Sequence, residues 1–104
     1  MTKKERVQAG AKLLDEQHPG WHNKIDIATL NIGSCFRCIL GQLYGEFSEG
    51  ASKLCLYHSE QFGFCLSSNE PPYRYKSLRE RWVEEIRERR EKDSQEDRDF
   101  LREV

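Results

Sequence analysis

Cys35-Phe36-Arg37-Cys38-Ile39-Leu40-Gly41-Gln42-Leu43-Tyr44-Gly45-Glu46-Phe47 is the stretch on which the fold turns. Phe36, Ile39, Leu40, Leu43, Tyr44 and Phe47 recur at i, i+3, i+4, i+7, i+8 and i+11, one face of an α-helix. Cys38, Gly41 and Gly45 gather on the opposite face, within about 60° of one another at the helical rotation per residue. Interior glycines cost about 1 kcal/mol each relative to alanine, so their place in a helix implies a backbone pressed closely against them. The pattern predicts a central helix over 35–47, packed on two sides. The alternative is that Gly45 stands just past the helix end, a position glycine favours.

Toward the N-terminus, Thr2-Lys3-Lys4-Glu5 has the spacing of a capping box. Val7, Ala11 and Leu14 follow at helical intervals, predicting a helix over 3–16 that His18-Pro19-Gly20 ends. Trp21 then reads as a plug over the core. Ile25-Asp26-Ile27-Ala28-Thr29-Leu30 mixes strand and helix spacing, and with no partner strand in sight it reads as a short helical turn.

Toward the C-terminus, a helix is expected from Gly50 to Gly63, with Ala51, Leu54, Cys55, His58 and Phe62 on one face. Ser67 to Pro72 reads as a loop. The last helix is expected over 73–92, with Tyr75, Leu78, Trp82, Val83 and Ile86 inward. Glu84–Arg87, Glu85–Arg89 and Glu88–Lys92 would pair along its outside. No apolar residue follows Ile86 until Phe100, so the helix should leave the body near residue 87. The fold class is therefore all-α: a small bundle of about four helices around a central helix 35–47, with a charged C-terminal helix extending from it. Residues 1–92 read as a single helical domain and 93–104 as a charged, fraying tail.

The totals narrow the function. A chain of 104 residues is one domain, and it buries only about two-thirds of its surface on folding. A net charge of -1 provides no general attraction for nucleic acid or anionic lipid. No stretch approaches the roughly 20 apolar residues of a membrane span, and Met1-Thr2-Lys3-Lys4-Glu5 does not open a signal peptide. With four cysteines and no export signal, reduced thiols in a cytoplasmic setting are expected.

The sharpest chemical pattern is Cys35-x-x-Cys38 followed by Cys55-x-x-His58, the arithmetic of a Cys3His zinc site. Against it, both pairs lie in helical patterns, the first lacks the glycine and proline of a zinc knuckle, and Cys65 is left over. Buried thiols are the favoured reading, so no cofactor is expected, with zinc as the alternative. A redox pair at Cys35 and Cys38 would need a β-α-β setting that the sequence does not offer. His18 and His22 flank a turn and read as exposed. Arg74, Lys76, Arg79, Arg81, Arg87, Arg89 and Arg90 form a basic run, but interleaved glutamates cancel its field, which disfavours nucleic acid. No catalytic triad, paired-acid motif or phosphate loop is present.

Leu13-Leu14-Asp15-Glu16, Pro19-Gly20-Trp21, Ile25-Asp26, Cys35-x-x-Cys38-x-Leu40-Gly41-Gln42-Leu43-Tyr44-Gly45 and Tyr75-Lys76-Ser77-Leu78 with Trp82 and Ile86 resemble small uncharacterised proteins of actinobacterial phages and their hosts. The likeness covers most of residues 10–90 and carries over no catalytic residue. It implies an accessory protein of the bacterial cytoplasm that binds a host protein.

The expectation is thus a non-enzymatic protein-binding module, a modulator or antagonist of a host protein. Its contact surface would be Arg81, Glu85 and Arg89 on the last helix together with Phe100, Leu101 and Val104. Self-association through that apolar cluster would make it a homodimer. The alternative is a nucleic-acid-binding module stabilised by zinc at Cys35, Cys38, Cys55 and His58.

Overall fold

In the computed structural model, which describes residues 2–56, 58–66 and 70–102 (side chains to Asp93), four α-helices are joined by 3-10 turns, with no strand among the described residues. Helix α1 spans Lys3–Gln17. Its start follows from Thr2, whose hydroxyl accepts a hydrogen bond from the Glu5 amide at 3.2 Å. Val7, Ala11 and Leu14 form its buried stripe, as their spacing predicts. The predicted turn at 25–32 is a 3-10 turn over Ile27–Thr29, capped by Asp26.

The central element is much shorter than its apolar periodicity implies. Helix α2 covers only Ile39–Tyr44, and α3 follows at Phe47–Lys53. Both ends of α2 have local causes. Cys38 is the N-cap, with its sulfur accepting from the Gly41 amide at 3.2 Å. Gly45 ends the helix at φ 95°, a backbone region costly for any side chain. The glycine alternative therefore prevails over a continuous 35–47 rod. Gly41 does have a backbone pressed against it, as anticipated. That backbone belongs to the preceding loop: a Cβ on Gly41 would lie 2.4 Å from the Cys35 carbonyl oxygen.

The helix expected from Gly50 to Gly63 is also cut short. Cys55 adopts φ 56° directly after α3. Its amide donates to Ser52 O at 3.2 Å and the Leu56 amide to Ala51 O at 2.9 Å, the bond pair of a Schellman motif. A separate 3-10 turn, Ser59–Phe62, runs up to Gly63.

Helix α4 spans Tyr75–Arg102, so the charged segment after Ile86 continues as helix. It does not leave the body at residue 87. Arg89 pairs with Asp15 at 2.9 Å, and His22 Nε2 lies 2.5 Å from Asp93 Oδ2. Two of its arginines also serve the irregular segment beneath. Arg79 donates to the carbonyls of Leu30 and Ile27, each at 2.8 Å. Arg90 donates to the carbonyls of His22 at 2.9 Å and Ile25 at 2.5 Å.

The core lies where α1, α4 and the 21–40 region meet, and no polar or charged residue is buried in it among the described residues. Trp21 and Trp82 meet edge to face, with centroids 5.7 Å apart, and Phe64 stacks on Trp82. Each indole N–H is satisfied: Trp82 donates to Gly63 O at 2.6 Å, and Trp21 to Asp15 Oδ1 at 2.9 Å. No helix among the described residues is long and apolar enough to cross a membrane.

Candidate protein-contact loop

Residues 31–38 form a loop whose two ends are pinned by the buried side chains of Ile32 and Cys38. Its composition favours turns, because Asn and Ser side chains bond their own backbone two or three residues on. Asn31 Oδ1 accepts from the Gly33 amide at 3.0 Å. Ser34 Oγ accepts from the amides of Phe36 at 3.3 Å and Arg37 at 3.2 Å. The Asn31 amide closes the loop by donating to the Arg37 carbonyl at 3.0 Å.

Neighbouring elements brace it further. The Gln42 amide group donates to the Arg37 carbonyl at 3.0 Å and to the Asp26 carbonyl at 3.2 Å, while its oxygen accepts from the Asp26 amide at 2.7 Å. Cys35 O accepts from the Phe47 amide at 2.8 Å. At the apex of this network stands Phe36, 67% exposed, with the exposed Arg37 beside it. An open cavity of about 150 Å³ lies next to it, walled by Ile32, Cys35, Phe47, Cys65 and Tyr75. An apolar ring held outward by a rigid backbone loses little entropy when a partner covers it.

Sequence periodicity assigned Phe36 to the inner face of a helix. The contrary signal was present in Asn31 and Ser34, whose turn chemistry defers the helix start to Cys38. Phe47 and Leu43 do pack against the core.

The residues expected to contact a partner are divided. Arg81 is exposed and reaches Glu84 at 3.4 Å. Glu85 and Arg89 were expected on the outside of the last helix, but they face the body. Arg89 bridges Glu85 at 2.7 Å and Asp15 at 2.9 Å, and lies over the Trp21 ring at 5.6 Å. A guanidinium with a stem to bury and two carboxylates to reach turns inward toward them. Arg89, and secondarily Trp21, hold the Asp15 carboxyl below its ordinary value. Val104 and the side chains of Phe100 and Leu101 lie outside the described residues.

The four candidate zinc ligands are not brought together. Cys38 is buried and caps α2, Cys35 and Cys55 are exposed, and His58 sits beside Glu60 at 3.5 Å. Among the described residues no group of three or more His, Cys, Asp or Glu is arranged to hold a metal. Burial pushes the Cys38 and Cys65 thiols up, away from the thiolate that metal binding or redox exchange requires. Cys38 is also the cap itself, with Cys35 in the loop before it, so the dipole-activated arrangement of a redox pair is not formed.

A larger cleft of about 470 Å³ opens between α4 and the start of the 21–25 segment, lined by Asp15, His22, Glu88, Arg89, Lys92 and Asp93 among others. Its principal charges are spent on one another, through Asp15–Arg89–Glu85 and His22–Asp93. His22, in turn, holds the Asp93 carboxyl below its usual range.

Fold and loop together define a small all-α domain that displays an aromatic residue on a braced loop. Comparison with known protein families, with curated proteins and with solved structures gives no match for this chain.

Proposed function

We propose that the protein is a non-enzymatic protein-binding module that inserts Phe36 into an apolar pocket of its partner, with Arg37 reaching a carboxylate at the rim. The observation that carries this reading is the 67% exposure of Phe36 on a loop fixed by its own and its neighbours' hydrogen bonds. Aromatic and arginine side chains dominate the binding energy of protein interfaces, and a rigid display keeps that energy from being lost to ordering. The resemblance to small phage and actinobacterial proteins makes a host protein of the bacterial cytoplasm the expected partner. Phe100, Leu101 and Val104 are a second contact on sequence grounds, available to the same partner or to a second copy of the chain.

The test is photo-crosslinking from a benzoyl-phenylalanine placed at position 36, in actinobacterial extract, followed by binding measurements with the protein that is captured. Phe36→Ala should weaken that binding by about 2 kcal/mol or more, roughly 30-fold. A chain ending at Asp93 retains the His22 contact and measures the tail separately. Equal binding of the captured protein by Phe36→Ala would overturn the assignment of the loop, whatever the tail does.

A further inference from the structure

A cleft of about 480 Å³ lies between the start of α1 and the 72–81 stretch, lined by Thr2, Lys3, Lys4, Tyr73, Arg74, Ser77 and Arg81. The chain as a whole is slightly acidic, with 17 Lys and Arg against 18 Asp and Glu. In this cleft, four cations come together with no carboxylate among the described lining residues. Lys3 is held by Glu70 at 3.2 Å, and Arg81 is shared with the exposed Glu84. Lys4 and Arg74 are exposed and make no ion pair among the described residues. Tyr73 stands among them at 75% exposure, on a turn that Pro71 and Pro72 set in place.

We infer that this cleft is a binding site for a nucleoside phosphate, with the base stacked on Tyr73 and the phosphate held by Lys4, Arg74 and Arg81. The chemistry of the walls selects that ligand over an acidic peptide. Apart from the Tyr73 ring, the described lining residues are cations and hydroxyls, with no aliphatic residue among them to receive apolar peptide side chains. A flat π-face, a hydroxyl-bearing sugar and a phosphate match what is offered: one ring, Thr2 and Ser77, and three cations. The volume is in the range of small-molecule sites. Interleaved glutamates on α4 made the basic run look self-cancelling in sequence. Folding separates them, since the lysines at the start of α1 join only Arg74 and Arg81 of that run here. The ligand is either a free nucleotide or one unit of a single strand, and the assay distinguishes the two.

The full chain is titrated with ADP by nuclear magnetic resonance, and with a fluorescent oligothymidylate of roughly 15 nucleotides by anisotropy. A glutamate-rich tyrosine-containing peptide of equal charge serves as the third arm. Binding of ADP with shifts at Lys4, Tyr73 and Arg74 assigns a free nucleotide. Binding of the oligonucleotide alone, with affinity falling as salt rises, assigns a single strand. In either case Tyr73→Ala should weaken binding by about ten-fold. Lys4→Glu with Arg74→Glu should abolish it, while Arg87→Glu, away from the cleft, and Phe36→Ala should not. All these positions are exposed, so the variants fold. The inference is overturned if neither nucleic ligand binds, if the cleft variants bind as the parent does, or if the acidic peptide binds as tightly as the oligonucleotide. The Phe36→Ala arm separates this outcome from failure of the loop assignment.

Discussion

Replacing Cys55 with glycine should stabilise the protein, although it removes a side chain from a helix terminus. Cys55 sits at φ 56°, where an L-residue pays roughly 1–2 kcal/mol for the approach of its Cβ to the following carbonyl. Its side chain is exposed and makes no hydrogen bond or ion pair among the described residues, so little is lost with it. The two backbone bonds of the motif, Cys55 N to Ser52 O and Leu56 N to Ala51 O, do not involve the side chain. Glycine brings greater freedom to the unfolded chain, which offsets about 0.5–1 kcal/mol. The net gain is about 0.5–1 kcal/mol, and 1 kcal/mol corresponds to roughly 4–8 °C in a domain near this size. Urea unfolding followed by circular dichroism, with Cys55→Ser as the control that keeps the strained backbone, measures it directly. A lower midpoint for Cys55→Gly than for Cys55→Ser would refute the reasoning. It would mean that the left-handed backbone at this position costs less than the freedom glycine adds to the unfolded chain.

Two further outcomes follow from packing and charge. Gly41→Ala would set a Cβ 2.4 Å from Cys35 O and 2.6 Å from Phe36 C, so the loop must move. We expect a loss of about 1–3 kcal/mol in denaturant unfolding, together with weaker partner capture; unchanged values for both would show that the loop is not braced there. Asp15 has its folded pKa lowered below 3.8 by Arg89, so its contribution is present above 3.8 and is lost as pH falls from there through the lower folded pKa. Because Asp15 is 44% exposed, the difference between parent and Asp15→Asn should be small, within about 1 kcal/mol at neutral pH. It should shrink below pH 3.8, and a gap that widens in acid would contradict the sign.

Much of the fold was legible from residues alone, and the failures share a cause. Helix α1 was readable because its cap and apolar stripe agree. The inner face of α4 was readable because Leu78, Trp82, Val83 and Ile86 keep one period, and all four are buried. At 35–47 the apolar period runs on through Phe36 and Phe47, but backbone chemistry at Ser34, Cys38 and Gly45 divides the stretch into loop, helix and a second helix. Periodicity records which residues prefer burial, and it is blind to where carbonyls and amides find partners. Cys55 shows the same limit, since no rule of composition places cysteine in a left-handed helix stop. For the candidate contacts the difficulty was direction. Glu85 and Arg89 are spaced for an exposed pair, and only Asp15 and Trp21, brought near by the tertiary fold, turn them inward.

The arginine donors of α4 bear on how the chain acquires its shape. Carbonyls at residues 22, 25, 27 and 30 find their partners on side chains 49 to 68 positions later. On a ribosome adding about 5–20 residues per second, that segment emerges seconds before the guanidinium groups that will hold it exist. Until then the carbonyls of residues 22, 25 and 30 have water in place of those donors, and the segment has only short 3-10 turns of its own to settle into. The long charged helix is therefore the late-arriving template on which an earlier part of the molecule takes its form.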